Sequence, residues 1–283
     1  MRALASGVVA GVLAAASLRL LRANPPGGVA PWERTNHAGR TVTLLEGPAY
    51  AAGALGAAAL LGAGPGPVLA ATAAAGLGAL DDHRGDAGRK GLYGHLSALA
   101  RGEVTTGAVK VIGLVASGMA SAVLIDRAGR ERDRTVLDTL VGGAVVAGSA
   151  NLLNLLDLRP GRALKATVAL GLMGTRPRWT PSSGGRDGGA STGASAIAAA
   201  AAVGAALGVL APDLAGEAML GDTGANAAGA LLGAALVQRT GRGGRWGALA
   251  VLAALTLASE KVSFTRVIES TPVLRELDAL GRP

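Results

Sequence analysis

Three acidic stretches carry the chain's candidate chemistry, and each interrupts or ends an apolar run. "LDDHRGD" sets Asp81 and Asp82 side by side. "NLLNLLD" spaces Asn151, Asn154 and Asp157 three apart. In a helix each such step turns about 300°, so the three side chains share one drifting face. "LGDTGAN" holds Asp222 between glycines at the start of another apolar run. Carboxylates and amides at such places are costly unless paired, hydrated or metal-bound. Oxygen donors of this kind suit Mg²⁺, which keeps waters and bridges substrate phosphates. The chemistry that fits is phosphoryl transfer. The Gly221-Asp222-Thr223-Gly224 turn is expected to open a helix whose free backbone N–H groups face an anion. Arg84, Arg89, Lys90, Lys110 and Lys165 could neutralise phosphate charge. An Asp-Thr-Gly triplet also suggests an aspartic protease, but one triplet does not supply the two carboxylates that share a proton there.

The elements that must position these groups are apolar and built from small residues. Of 283 residues half are apolar, 2% are aromatic and 45 are Gly. Long Gly/Ala/Leu/Val blocks suit helices packed closely inside a bilayer. The fold class is therefore all-α, a polytopic membrane bundle of about nine transmembrane helices. The apolar segments lie near 3–21, 48–63, 67–80, 104–125, 136–157, 163–175, 192–212, 219–238 and 244–260. The first is expected to be a span rather than a signal peptide. The third and sixth are short and could be tilted or line a cavity. Residues 1–260 form the transmembrane domain, and 261–283 an amphipathic tail outside the bilayer.

The absence of Cys excludes disulfides and thiolate metal sites, and three histidines, all in the first third, do not suggest a zinc site. The net charge of +8 sits mostly in loops between apolar runs, which argues for membrane flanks and against nucleic acid. An outside N-terminus puts all three acidic sites at the cytoplasmic face. Asp126 to Asp138, "DRAGRERDRTVLD", reads as a solvated outer loop. Glu46, before Gly47-Pro48, is expected to cap the second helix, or else to stand near the site. Trp32, Trp179 and Trp246 lie beside span ends, as interfacial anchors do.

The ordered set "LDDHRGD", "NLLNLLD" and "LGDTGAN", with "KGLYGHLSALARGEVTTGAVK" leading to Lys110, resembles the polyprenyl-phosphate N-acetylhexosamine-1-phosphate transferase family over about residues 36–238. The resemblance implies a Mg²⁺-dependent enzyme of the plasma membrane, with a cytoplasmic active site. It would move a sugar-1-phosphate from a UDP-sugar to a polyprenyl phosphate in cell-envelope glycan synthesis. By position Asp222 would be the principal metal ligand, with Asn154 beside metal and nucleotide. Asp81 and Asp82 match the acidic pair proposed to bind or deprotonate the lipid phosphate. Asp157 matches the first Asp of an Asp-Gly-x-Asp-Gly motif. Lys90, Lys110, Asn151, Lys165, Gly221, Thr223 and Gly224 would surround substrate, and a homodimer is left open. The chain departs from the family pattern at Leu158 and Pro160, lacks its Thr-Pro-Thr-Met-Gly-Gly, and has no His after His95. Two other readings stay open: a non-catalytic relative that binds prenyl phosphate or scaffolds envelope assembly, and a small-solute transporter with broken helices.

Overall fold

The computed structural model describes residues 1–36, 39–84, 106–129, 134–175 and 188–283. Among the described residues nine long helices follow the nine apolar segments: α1 Arg2–Ala23, α2 Glu46–Leu61, α3 Pro65–Arg84, α4 Thr106–Ala128, α5 Val136–Leu156, α6 Arg162–Thr175, α7 Gly188–Leu214, α8 Gly221–Arg239 and α9 Arg242–Lys261. Two short helices close the chain, α10 Phe264–Ser270 and α11 Pro272–Ala279. The fold is helical, as the composition requires, with one addition. Strands β1 Glu33–Thr35 and β2 Thr41–Thr43 pair antiparallel.

Nine helices do not by themselves establish nine spans. Among the described residues four helical stretches are long and apolar enough to cross a membrane: Arg2–Ala23, Gly107–Ala128, Val136–Leu156 and Gly193–Leu214. A fifth is reached if α9 and α10, bent by 91° at their junction, count as one broken span. With 16 and 14 residues, α2 and α6 are too short to span unaided. The reason for α8 is different. Fifteen of its 19 residues are buried, so it faces protein on all sides and does not need a lipid-compatible surface.

The bundle is arranged around α8, against which α2, α3, α4, α5, α6 and α7 all pack. Its Gly and Ala permit that crowding. A Cβ on Gly229 would collide with the Ser149 carbonyl of α5, and one on Gly233 would lie 2.8 Å from the Ser149 side chain. The α1–α7 pair uses the same device. Gly7 and Gly11 face Gly204 and Gly208, and a Cβ on Gly204 would overlap the Gly7 carbonyl.

Successive helices alternate in direction, which gathers many polar residues at one end. That end is strapped by backbone. Thr43 bridges to Ala218, the Met219 N–H donates to the Thr43 carbonyl at 3.1 Å, and the Thr43 N–H to that of Glu217 at 3.0 Å. The strap fixes the entry of α2 against the entry of α8.

The opposite end holds a buried ionic network, which corrects the reading of Asp126 to Asp138 as a solvated loop. Arg245, 1% exposed, pairs with Asp126 at 2.6 Å and also donates to the Asp138 and Val237 carbonyls. Arg242 grips Asp138 with two 2.7 Å bonds. Asp138 and Thr135 form a reciprocal capping box that starts α5. Residues 130–133 lie outside the described residues.

The tail also departs from a single amphipathic helix. α10 and α11 dock on the turn between α5 and α6. Arg162 clasps Asp278 at 2.8 and 3.0 Å and donates to Thr265 at 3.0 Å, while Arg159 meets Glu269 at 3.1 Å.

Candidate functional site

The C-terminus of α3 meets the N-terminus of α8. Gly78 makes this possible, because a Cβ there would collide with the backbone of Asp222 and Thr223. One turn later Asp82 therefore reaches the start of α8. Its carboxylate accepts from the Asp222 N–H at 3.0 Å, the Thr223 N–H at 2.9 Å and the Thr223 hydroxyl at 2.6 Å. A carboxylate satisfies the open N–H groups of a helix start and its positive end. Gly221 adopts φ +58°, and a Cβ on it would stand 3.0 Å from both Asp82 oxygens, so glycine belongs there. Arg34 of β1 donates to the Asp82 carbonyl, and the His83 ring meets Trp32 edge-on at 4.8 Å.

Asp81 and Asp222 converge on one cation, Lys110. Its ammonium lies 3.3 Å from Asp81 Oδ2 and contacts Asp222 Oδ2. Lys110 is in the first turns of α4, so three helix ends build this group. The amides of Asp222 and Thr223, expected to be free for an anion, are instead occupied by Asp82. Among the described residues no three His, Asp or Glu side chains form a ready-made metal cage. The donor set still suits Mg²⁺. Two hard carboxylates already share one cation, and the Lys110 ammonium stands where a divalent ion would find them.

Asp157 follows the last turn of α5 and is buried, 7% exposed, with Oδ2 lacking a hydrogen-bond partner. The antiparallel register of α5 and α8 brings it to the start of α8, where Gly221, Asp222 and Asp82 act on it electrostatically. The expected shared face of 151, 154 and 157 is thus only partly realised. Asn151 donates across to Thr256 of α9 at 3.5 Å. The Asn154 side chain makes no hydrogen bond among the described residues. Gly224 packs against Gly47 of α2, where a Cβ would come within 2.9 Å of the Gly47 Cα.

Lys165 is placed elsewhere. Its ammonium binds the carbonyls of Leu277 at 3.1 Å, Leu280 at 3.2 Å and Asp278, capping the last turn of α11. Lys90, with Arg89, His95 and Trp179, lies outside the described residues.

Sequence reasoning missed two groups and left a third between two roles. Asp213, near the end of α7, is 2% exposed and accepts the Gly161 N–H at 2.6 Å. Glu46 is fully buried beside the Asp213 carboxyl, with no backbone donor on either oxygen, so it stands near the site and does not cap α2. The carboxylates acting on it are Asp213 and Asp157. Asn226, one turn after Asp222, is fully buried with neither amide atom hydrogen-bonded. Pro212-Asp213 ending an apolar helix, and Asn four residues after Asp222, were the available signals. A small cavity of about 20 Å³, room for a single water, opens beside Asp157 and Asp213, lined also by Asn36, Val42 and Pro160. Three crowded carboxyls need a proton or cation to offset their burial.

No protein-family model and no curated protein matches the chain.

Proposed function

We propose that this chain is a Mg²⁺-dependent phosphoglycosyltransferase of the polyprenyl-phosphate N-acetylhexosamine-1-phosphate transferase type. It transfers a sugar-1-phosphate from a UDP-sugar to a polyprenyl phosphate at the cytoplasmic face of the plasma membrane. The observation that carries this reading is the convergence of Asp81, Asp82, Lys110 and Asp222 from three separate helices at one end of an apolar bundle. Apolar helices beside a charged mouth are what a substrate with a lipid tail and a phosphate head needs. Magnesium, which the resemblance assigns to Asp222 and Asn154, would neutralise charge on the donor's diphosphate. Lys110 holds the two carboxylates together and can turn its ammonium to a phosphate oxygen. Asp82 fixes the start of α8, so it is a positioning residue for Asp222. The acceptor phosphate is anionic at neutral pH and attacks the sugar-linked phosphorus. Its oxygen forms the new P–O bond as the bond to UMP breaks.

The decisive experiment supplies a panel of UDP-sugars and undecaprenyl phosphate to the purified chain and reads UMP with and without Mg²⁺. Wild type should release UMP only with both substrates and metal, and Asp222→Asn should lose release. Full activity in that variant overturns the metal assignment.

A second reading is supported by the same contacts. Lys110 already pairs with Asp81 and Asp222, and Asp82 is fully occupied by α8, as suits a relative that binds prenyl phosphate without turnover. Binding of undecaprenyl phosphate with no UMP from any donor selects this reading.

A further inference from the structure

A second depression lies on the tail side of the Asp157 cavity. Its volume is about 140 Å³, smaller than a whole small-ligand site but enough for a phosphate group. Arg40 of the β2 approach, Arg159 of the α5–α6 turn and Arg282 of the tail line it, with Asn36, Pro160 and Gly216. Among the described residues no acidic side chain is in that lining. The two depressions share Asn36, Leu158, Arg159, Pro160 and Gly216, so they are continuous.

Three segments distant in sequence thus bring guanidiniums to one cavity. Each is anchored through part of its donor set. Arg40 Nη2 donates to the Ala215 carbonyl at 3.3 Å, Arg159 Nη2 to Glu269 at 3.1 Å, and Arg282 Nε to the Pro160 carbonyl at 2.8 Å. Two of the three already hold an acid, since Arg282 Nη2 lies 3.0 Å from Asp278 Oδ2, which Arg162 also clasps, and Arg159 pairs with Glu269. Arg40 and Arg159 keep further N–H donors for a ligand. Gly216, at φ +67°, has Arg40 Nη1 3.6 Å from the place a Cβ would take, so the backbone leaves the guanidinium room. Arg40 has no carboxylate partner among the described residues, and planar guanidiniums match phosphate oxygens in pairs.

We propose that the cavity walled by Arg40, Arg159 and Arg282 is a binding subsite for a phosphate-bearing ligand. It deepens the transferase reading and rests on it only for the origin of the phosphate, a nucleotide diphosphate or a lipid phosphate head. The tail supplies one of the three cations, so docking of α11 completes the subsite.

The test is equilibrium binding to the full chain in detergent micelles, with inorganic pyrophosphate, UDP and a short-chain prenyl phosphate as separate probes. Wild type should bind pyrophosphate and one of the other two, less tightly as salt rises. Arg40→Gln and, separately, Arg159→Gln should each weaken that binding by roughly tenfold or more. Arg40→Lys should recover only part of it, since an ammonium cannot pair two phosphate oxygens. Arginine-dependent UDP binding identifies the nucleotide, and arginine-dependent prenyl phosphate binding the lipid. Unchanged affinity for all three probes in both Gln variants, or no binding by wild type at millimolar probe, overturns the proposal. The transfer assay with Asp222→Asn is a separate measurement. Transfer with unaltered binding in the arginine variants sinks this subsite alone. Arginine-dependent pyrophosphate binding without transfer from any donor sinks only the enzymatic reading.

Discussion

Replacing Asp82 with Ala should loosen the start of α8 far more than its position at a helix end suggests. The wild-type carboxylate accepts three hydrogen bonds, from the Asp222 and Thr223 amides and the Thr223 hydroxyl, at 2.6–3.0 Å. Losing a capping acceptor costs about 1 kcal/mol. Losing a negative charge at the positive end of a helix costs up to ~1 kcal/mol more. The Thr223 hydroxyl, on a residue only 4% exposed, is then left without its acceptor, at ~1–3 kcal/mol. Water entering from the mouth would recover part of this, so the net is about 3 kcal/mol. At ~1.4 kcal/mol per factor of ten, local opening becomes roughly 100-fold more frequent. Amide hydrogen exchange at Asp222 and Thr223 in detergent micelles reads that factor directly. Asp82→Asn, which keeps one acceptor oxygen, should fall between. The exposed pair Arg22–Glu217, 3.4 Å apart, is the contrast, since Arg22→Ala should cost less than ~1 kcal/mol. Protection at 222 and 223 within threefold of wild type in Asp82→Ala would refute the claim that Asp82 holds this helix start.

Two further outcomes follow from the packing and the tail. Gly204→Ala should destabilise the bundle by about 1–3 kcal/mol through overlap with the Gly7 carbonyl, read as a lower midpoint in denaturing detergent. Gly76→Ala on α3, with nothing within 4 Å of its Cβ position, should instead gain up to ~1 kcal/mol of helix propensity, and equal effects at both sites would contradict the close α1–α7 approach. Docking of the tail should be acid-sensitive. Burial alone would raise the Asp278 pKa, but hydrogen bonds and charge from Arg162 and Arg282 outweigh it and hold the carboxyl below its usual value. A depressed folded pKa gives stability that is present above the unfolded value, about 3.9, and lost as pH falls below it. Exchange protection of residues 264–283 should therefore persist at neutral pH and fall below about pH 4. Protection unchanged down to pH 2 would remove Asp278 from the docking contact.

What the sequence determined by itself was the helical architecture and the residues worth attention. Blocks of Gly, Ala, Leu and Val at this length have few other stable forms, and carboxylates that end such blocks are conspicuous because burying them is costly. The placement of Asp81, Asp82 and Asp222 at helix ends was legible for that reason. Which of those ends meet was not. Asp82 reaches α8 only because Gly78 lets two backbones touch, and a glycine in an apolar run gives no sign of which helix it will press against. For the same reason α8, the most buried helix, could not be told from a lipid-facing span, since small residues serve both surroundings. Asp213, Glu46 and Asn226 are separated in the chain by between 13 and 180 positions and come together, where they do, through the crossing of α2, α7 and α8. The arginines of the second cavity arrive from the approach to a strand, a turn and a tail. Local pattern records how each segment folds, while the charge environment of a side chain is set by neighbours that only the packed bundle supplies.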